Sequence, residues 1–323
     1  MEITKIVYAE KPKEGQPWDV VIIGSGPAAL TAAIYTTRGA ASTLIVGGEN
    51  WGGQLMLTTT VDNFPGFPEG VQGPDLMTRM RNQAERFGAE FVEKNVTQTD
   101  FSTKPYKVKT RDVEYMARSV IISTGASNRW LGVPGEQELL GRGVATCAPC
   151  DAPFYKDKVV SVVGGGDSAL TEALVLTKYA IDVTVIHRRD ALKASAAMQQ
   201  KAFDNKKIKF LWNSEVKKII GEKKVEKLEI FNNKDNKVSE LKVDGIFVAI
   251  GHKPDSDVFK GPIEMDERGY IKVYEHTSTN LEGVFVAGEV HDQHYKQAIT
   301  TAGFGCMAGM DALKFLDKET PSW

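Results

Sequence analysis

The stretch Asp19-Val20-Val21-Ile22-Ile23-Gly24-Ser25-Gly26-Pro27-Ala28-Ala29 decides the fold class of this chain. Its Val and Ile run is typical of a buried strand, and the Gly-x-Gly-x-x-Ala turn that follows leads into a helical stretch, Leu30 to Arg38. The first glycine permits a tight turn, the second lets the backbone approach a pyrophosphate, and the small third residue allows close helix–strand packing. The pattern predicts a dinucleotide site at the helix N-terminus, with an ordinary glycine turn as the alternative. The candidate cofactor-binding residues are Gly24, Ser25, Gly26, Pro27 and Ala28.

The same pattern occurs a second time, 140 residues later. The buried run Lys158 to Val163 leads into Gly164-Gly165-Gly166-Asp167-Ser168-Ala169 and a helical stretch, Leu170 to Lys178. Two copies of strand, glycine turn and helix predict an α/β protein with two Rossmann-like dinucleotide-binding domains. The second set of candidate cofactor-binding residues is Gly164, Gly166, Asp167 and Ser168.

The two copies differ where their second predicted strands end. Ser42 to Val46 is followed by two glycines and then Glu49, the best candidate for an acid that accepts from a ribose hydroxyl. Val183 to Ile186 is instead followed by His187-Arg188-Arg189, with Lys193 close behind. Arginines at this position pair with a ribose 2′-phosphate, which favours NADPH over NADH. The alternative for the second segment is a solvated basic turn.

A cysteine pair, Cys147-Ala148-Pro149-Cys150, lies between the two glycine patterns and is followed by Asp151. This spacing can close a redox-active disulfide whose thiol pKa is set by nearby charges. Three cysteines in 323 residues do not form a structural disulfide framework. A zinc site needs four ligands, and the chain has no second cysteine pair, so we predict no metal site.

Several shorter segments have sequences typical of loops and strand ends that contact a cofactor. Two glycine-containing loops, Trp51 to Leu55 and Asn63 to Gly66, suit contact with a flat ligand, and plain surface loops are the alternative. Three buried runs end at or near a glycine, namely Gly125, Gly251 and Gly288. The carboxyl ends of strands are where ligands bind in such folds. The candidate residues in these segments are Gly53, Gln54, Leu55, Asn63, Thr124, Gly125, Ala126, Gly251, Gly288, Glu289, Lys296, Gln297 and Ala298.

Composition and charge exclude several other classes of protein. The chain is 42% hydrophobic and 25% charged with a net charge of −2, which gives no indication of nucleic-acid or membrane-surface binding. No apolar run reaches the ~20 residues of a spanning helix. Met1 to Trp18 lacks the apolar core of a signal peptide, so we expect a cytoplasmic protein. We also expect Cys306 to be a small buried hydrophobe and Lys217 to Lys227 to form a solvated face.

Taken together in this order, the motifs resemble those of the low-molecular-weight thioredoxin reductases, over about residues 18–317. The matching segments are Gly24–Ala28, Gly52–Leu55, Thr124–Ala126, Cys147–Asp151, Gly164–Ala169, His187–Asp190, Gly251–Pro254 and Gln297–Gly303. The resemblance implies three-layer ββα domains, one inserted in the other. The FAD domain would comprise residues 1–128 and 256–323, and the NADPH domain, with the cysteines, residues 129–255.

The resemblance also implies the activity of a thioredoxin-disulfide reductase. Electrons would pass from NADPH through FAD to the Cys147–Cys150 disulfide and then to thioredoxin. Cys150 would face the flavin and form the charge-transfer thiolate, Cys147 would attack thioredoxin, and Asp151 would act as acid and base. The family is usually a homodimer, and its two domains rotate against each other.

Four positions depart from the family pattern: the Ala-Pro spacer between the cysteines, Ala152 in place of Gly, Glu289 in place of Asp, and Lys193 in place of Arg. Three other functions remain open at this point. The chain could be a related flavin disulfide reductase with a different thiol or disulfide partner, a thiol oxidase that passes electrons to oxygen, or a flavin-binding protein without catalysis.

Overall fold

The structure is a computed structural model, which describes residues 9–58 and 60–319. Residues 1–8 of the segment from Met1 to Trp18, where we expect no signal peptide, therefore lie outside the described residues. The strands are β1 (Trp18–Ile23), β2 (Thr43–Val46), β3 (Thr60–Val61), β4 (Val71–Gln72), β5 (Glu90–Val92), β6 (Gln98–Asp100), β7 (Tyr106–Lys109), β8 (Glu114–Ile122), β9 (Ala126–Asn128), β10 (Val144–Ala145), β11 (Val159–Val163), β12 (Asp182–Ile186), β13 (Ile208–Leu211), β14 (Ser214–Ile220), β15 (Lys227–Asn232), β16 (Lys237–Lys242), β17 (Gly245–Val248), β18 (His252–Pro254) and β19 (Val284–Val286).

The helices alternate with these strands as expected for an α/β protein. The α-helices are α1 (Pro27–Arg38), α2 (Gly73–Arg86), α3 (Ala148–Asp151), α4 (Asp167–Leu176), α5 (Ala196–Phe203) and α6 (Ala298–Glu319), and short 3₁₀ helices cover Gly53–Leu57, Ala152–Tyr155 and Asp257–Phe259. The chain divides into two compact units. The first runs up to Ser127 and resumes at Lys253, and the second is Asn128–His252.

The first unit is built on a seven-stranded sheet. Its order is β5-β2-β1-β8-β7-β6, and β19 pairs with the last residues of β8. Strands β5, β2, β1, β8 and β19 are parallel, whereas β7 pairs antiparallel with the first half of β8, and β6 pairs antiparallel with β7. Parallel neighbours place their carboxyl ends along one edge of the sheet, where ligands bind in such folds.

Both faces of this sheet are covered, as the continuous Val and Ile runs of its strands require. On one face, Ile22, Ile45 and Ile121 pack with apolar residues of α1, α2 and α6. On the other face, Val21 and Ile122 pack with residues of the β6–β7 region, including Tyr106. The unit therefore has a helix layer on one face of its parallel strands, and the antiparallel part of the same sheet, β6 and β7, covers the other face.

The second unit repeats this plan. Its parallel sheet has the order β10-β17-β11-β12-β13, and β14, β15 and β16 form a separate antiparallel sheet. Val162 and Val185 pack with α4 on one face, and Ile186 and Val248 pack with β14 and β15 on the other. The predicted α/β class with two Rossmann-like, three-layer domains is confirmed.

Two local predictions need correction. Part of the lysine-rich segment expected to be only a solvated face is strand β14, in which Val216 and Ile219 are buried while Lys217 and Lys218 are exposed. Cys306 is a free cysteine and half-buried rather than buried. Its Sγ lies 4.0 Å from Sδ of Met310 on α6.

Candidate functional site

The first glycine pattern forms the turn between β1 and α1. Gly24 has φ +119°, and a Cβ there would lie 2.3 Å from the carbonyl oxygen of Ser123, so no other residue fits without displacing backbone. Gly26 caps α1 without any side-chain hydrogen bond, and a Cβ there would meet no atom within 4 Å. Uncapped N–H groups beside open space form a cradle for an anion at the N-terminus of α1.

Ser25 ties this turn to the loop that follows β2. Its hydroxyl donates to the carbonyl oxygen of Gly47 at 2.5 Å and accepts from the N–H of Gly52 at 2.9 Å. Glu49, between these two glycines, has an exposed side chain, and its N–H donates to Oδ1 of Asn95 at 3.1 Å. The loop therefore holds Glu49 near the turn with its carboxylate open to a ligand.

The remaining predicted residues of the first unit follow the carboxyl ends of adjacent strands. Thr124 and Gly125 follow β8 after one residue, Ser123, and Gly288 and Glu289 follow β19, which pairs with the end of β8, after one residue, Ala287. Gly53, Gln54 and Leu55 form the start of a 3₁₀ helix, Ala126 begins β9 and Ala298 begins α6. In addition, Nδ2 of Asn63 donates to Oε1 of Gln297 at 3.0 Å, which joins two predicted segments that are distant in sequence.

Glu289, which lies just after β19, has a shifted pKa. Burial raises its pKa to about 7, Lys296 acts to lower that pKa, and Asp292 acts to raise it. His291, two residues on, has its pKa lowered mainly by burial, with Asp292 opposing. Its ring packs edge-on against Phe304, with ring centroids 4.6 Å apart, and its buried Nε2 has no hydrogen-bond partner among the residues that the structure describes. No motif in the sequence marks His291, because nothing in the local sequence shows its burial.

The second glycine pattern forms the equivalent turn between β11 and α4. Gly164 has φ +152°, and a Cβ there would lie 2.5 Å from the carbonyl oxygen of Ala249. Gly166 caps α4 without a side-chain hydrogen bond, and a Cβ there would meet nothing within 4 Å. Asp167 accepts from Oγ of Ser195 at 2.7 Å and from its N–H at 3.0 Å, and these bonds lower the pKa of Asp167.

The basic residues after β12 divide into a buried one and exposed ones. His187 is buried against the turn, because a Cβ on Gly165 would lie 2.2 Å from its ring, and its Nε2 is 3.0 Å from the carbonyl oxygen of Ala191. Arg188 and Arg189 are exposed. Lys193 is also exposed, and its N–H donates to the carbonyl oxygen of Gly165 at 2.7 Å. Gly251, with φ +105°, lies beyond the end of β17.

The cysteine pair lies at the start of α3 and forms a disulfide, with Cα atoms of Cys147 and Cys150 5.3 Å apart. Cys150 is exposed and Cys147 is half-buried. Burial raises the pKa of the neighbouring Asp151 to about 6. The buried N–H of Ala148, between the cysteines, donates to Oε2 of Glu172 on α4. Sequence reasoning missed Glu172, which no motif marks, because only packing of α3 on α4 brings it to the pair.

Comparison with known proteins decides the family. The model of the pyridine nucleotide-disulphide oxidoreductases matches residues 18–305. Thioredoxin reductase of Streptomyces coelicolor is 50% identical over 301 residues, which cover 92% of this chain and 94% of that protein. Thioredoxin reductase of Chlamydia trachomatis is 48% identical over 306 residues, which cover 92% and 98%. The chain belongs to the thioredoxin reductase family. Members of this family use FAD and NADPH.

Solved structures of thioredoxin reductases agree with this assignment. The enzyme from Streptococcus pyogenes MGAS5005 has a TM-score of 0.88 and 39% identity, with 93% of this chain and 98% of that chain covered. The enzyme from Giardia duodenalis has a TM-score of 0.88 and 40% identity, with 94% and 100% covered.

The residues present fit the two cofactors of a thioredoxin reductase. Each glycine turn offers an uncapped helix N-terminus and open space beside its second glycine, as a pyrophosphate requires. The exposed guanidinium groups of Arg188 and Arg189 suit the extra phosphate of NADPH, whereas the first unit presents the carboxylate of Glu49 at the corresponding place. Among the described residues, no group of three or more His, Cys, Asp or Glu side chains could hold a metal ion. None of the helices within 9–58 and 60–319 has the length and apolar character to cross a membrane.

Proposed function

We propose that this chain is an NADPH-dependent thioredoxin-disulfide reductase. The observation that supports it most directly is the Cys147–Cys150 disulfide, which lies on the same unit as the basic pair Arg188 and Arg189. A second nucleotide turn at Gly24 completes the set of groups that reduction of an external disulfide by NADPH requires.

The two cofactors are assigned to separate domains. In this proposal FAD is held by residues 1–128 and 256–323. The residues that face it are Gly24 to Ala28, Glu49, Gly53 to Leu55, Asn63, Thr124 to Ala126, Gly288, Glu289 and Lys296 to Ala298. NADPH is held by residues 129–255, where Gly164, Gly166, Asp167, Ser168 and Gly251 line the site, His187 supports the turn, and Arg188, Arg189 and Lys193 meet the 2′-phosphate. Bound FAD supplies the conversion of a hydride from NADPH into the electron pair that opens a disulfide.

The cysteines perform the exchange with the substrate. We assign the first attack to Cys147: its thiolate attacks one sulfur of the thioredoxin disulfide, and the other thioredoxin sulfur leaves as a thiolate. The thiolate of Cys150 then attacks Sγ of Cys147. This step releases thioredoxin with both thiols reduced and restores the Cys147–Cys150 disulfide. Two electrons leave the cysteine pair and two enter thioredoxin, so the exchange is balanced.

Asp151 moves the proton in this exchange. Its pKa of about 6 lets its carboxyl be protonated or ionised near neutral pH, as a general acid and base requires. It is bonded to Cys150 in the chain, and its N–H donates to the carbonyl oxygen of Cys147 at 3.1 Å. In the proposed role it gives a proton to the departing thioredoxin thiolate and takes a proton back from solvent before the next exchange.

The proposal includes a homodimer in the cytoplasm. Apolar side chains on α6 and α1 are exposed in the single chain: Met310 is 56% exposed, Met307 44%, Ile299 43% and Tyr35 39%. Contact with a second copy would cover them, because exposed apolar groups of this kind favour association. Light scattering on the eluted protein would measure a mass of two chains, and the mass of one chain would contradict this part of the proposal.

The test of the proposed function is turnover of thioredoxin from the same organism with NADPH as reductant. Reduction of its disulfide, measured as loss of NADPH absorbance, is the expected result. The proposal is wrong if the flavin-loaded protein oxidises NADPH with oxygen or another disulfide but reduces no thioredoxin from that organism.

A further inference from the structure

The guanidinium of Arg81 on α2 contacts two aromatic rings, those of Phe91 and Trp51. The guanidinium carbon is 3.9 Å from the centroid of Phe91 and 4.7 Å from the centroid of Trp51. The two rings themselves meet edge to face, with centroids 5.8 Å apart. A guanidinium stacked on ring faces is attracted by the negative potential above each ring.

Two carboxylates fix the same guanidinium in place. Nε of Arg81 donates to Oε1 of Glu85 at 2.9 Å, and Nη1 donates to Oε1 of Glu93 at 2.6 Å. The Arg81 side chain is only 20% exposed, whereas those of Glu85 and Glu93 are 38% and 50% exposed. The guanidinium therefore contacts two rings in different directions and two carboxylates through its N–H groups, so Arg81 holds one orientation.

Both rings belong to or pack against the loop that connects β2 to the 3₁₀ helix Gly53–Leu57. Trp51 is a member of this loop. Phe91, on β5, supports its other end, because a Cβ on Gly47 would lie 2.4 Å from Cζ of Phe91. Arg81 thus holds the loop at Trp51 directly and at Gly47 through Phe91.

The opposite side of the loop is bonded to the first glycine turn. The Ser25 hydroxyl connects Gly47 and Gly52, as described above. The Arg81 cluster consists of Arg81, Trp51, Phe91, Glu85 and Glu93. The loop is held between this cluster and the turn, and Glu49 lies at the exposed centre of the loop. Motion of the loop away from the turn would remove Glu49 from reach of a ribose at the turn.

We propose that Arg81 is a positioning residue for flavin-nucleotide binding, which acts by holding residues 47–53 against the Gly24–Gly26 turn. This inference rests on the proposed function, since it needs a dinucleotide at that turn. The cluster includes no proposed catalytic residue and no residue of the second unit. Loss of Arg81 should therefore weaken retention of FAD and leave the reaction of the flavin-loaded protein unchanged.

The experiment measures the FAD dissociation constant of the purified holoenzyme by the return of free flavin fluorescence on serial dilution. We expect Arg81→Gln to raise that constant about tenfold, which corresponds to ~1.4 kcal/mol, and Arg81→Lys to raise it less. The thioredoxin turnover rate at saturating FAD and the KM for NADPH should match wild type in both variants.

Arg79 provides a matched control on the same helix. Its guanidinium carbon lies 5.7 Å from the centroid of Phe67, a ring outside the loop, so Arg79→Gln should retain FAD as wild type does. Equal FAD loss from the Arg79 and Arg81 variants, or wild-type retention by Arg81→Gln, would overturn the inference. Should Arg81→Gln fail to fold, Trp51→Ala must show the weakened FAD binding, and normal binding by it would also overturn the inference. A wild-type protein without any FAD affinity would instead contradict the proposed function itself.

Discussion

The two units pair their first and second strands in the same register. In the first unit Val20 is opposite Thr43, and in the second Val160 is opposite Val183, a separation of 23 residues in each case (43 − 20 and 183 − 160). Both turns leave open space beside the second glycine and an uncapped helix N-terminus. The units differ at the end of the second strand, where the first has Glu49 and the second has Arg188 and Arg189. In the proposed function, the turn holds a pyrophosphate in both units, and the strand end distinguishes the two riboses.

Each unit also places a carboxyl group where water solvates it poorly. Burial raises the pKa of Asp151 to about 6 in the second unit and that of Glu289 to about 7 in the first. Asp151 lies beside the disulfide, whereas Glu289 follows strand β19 at the edge of the first turn. Perturbed carboxyl groups of this kind are typical of functional sites.

The largest effect should come from filling the two open spaces one at a time. Gly26 and Gly166 have φ −74° and −98°, which any residue adopts, and a Cβ at either position meets no protein atom. Gly26→Val should thus fold normally but lose FAD, and Gly166→Val should keep FAD but bind NADPH at least about a hundredfold more weakly, or by ~2.7 kcal/mol. Flavin absorbance and NADPH titration measure these effects.

Gly24 provides the control for the substitutions at Gly26 and Gly166. Gly24→Ala places a Cβ 2.3 Å from the carbonyl oxygen of Ser123, so it should lower the melting temperature, unlike Gly26→Val. Equal loss of both cofactors from either valine variant would contradict separate sites in the two units.

The next largest effect should follow from removal of the Asp151 carboxyl. Asp151→Asn should reduce thioredoxin turnover about a hundredfold, because general acid–base groups contribute factors of that order. The pH dependence of wild-type turnover near pH 6 should disappear in the variant. A stopped-flow measurement of flavin reduction by NADPH serves as the control and should be unchanged.

Stability should respond to Asp151 in the opposite direction. Its folded-state pKa of about 6 lies above the ordinary 3.8, so the folded protein gains stability by proton uptake as pH falls through 6 and loses it as pH rises. The asparagine variant should therefore exceed wild type by up to about 3 kcal/mol above pH 7, and by much less at pH 4, in urea unfolding. A constant difference across this range would contradict the burial of Asp151.

The smallest of these effects concerns the preference for NADPH over NADH. Arg188→Ala together with Arg189→Ala should raise the KM for NADPH about tenfold or more, because charge-assisted bonds to the 2′-phosphate are lost, and leave the KM for NADH nearly unchanged. Glu49→Gln, at the corresponding place in the first unit, should change neither KM. An equal rise for both nucleotides would show that the basic pair does not select the 2′-phosphate.

The sequence was informative wherever the structure depends on neighbours in the chain. Both glycine turns, the strands before them and the Cys147–Cys150 disulfide were predicted because short spacings set their geometry. Strand β14 was missed because a bulge between Val216 and Lys218 breaks its alternation of buried and exposed residues. Cys306 was expected in the core, but the neighbouring Gly305 provides the close contact with α1, where a Cβ would lie 2.1 Å from the carbonyl oxygen of Ala28.

The contacts that sequence reasoning could not find are those between distant elements. Glu172 reaches the cysteine segment only because α3 packs on α4. Arg81, Trp51 and Phe91 belong to a helix, a loop and a strand, and no spacing in the chain connects them. Such contacts adjust the site, whereas the motifs define its chemistry.

The central claim is that reducing equivalents from NADPH reach both a flavin and the Cys147–Cys150 disulfide of the same chain. Anaerobic titration of the flavin-loaded protein with NADPH tests this claim most directly. Flavin and disulfide each take up two electrons, so full reduction of wild type should consume two equivalents of NADPH per chain, and Cys150→Ser should consume one. One equivalent for both proteins would contradict the account, because it would show that the disulfide is not reduced by NADPH.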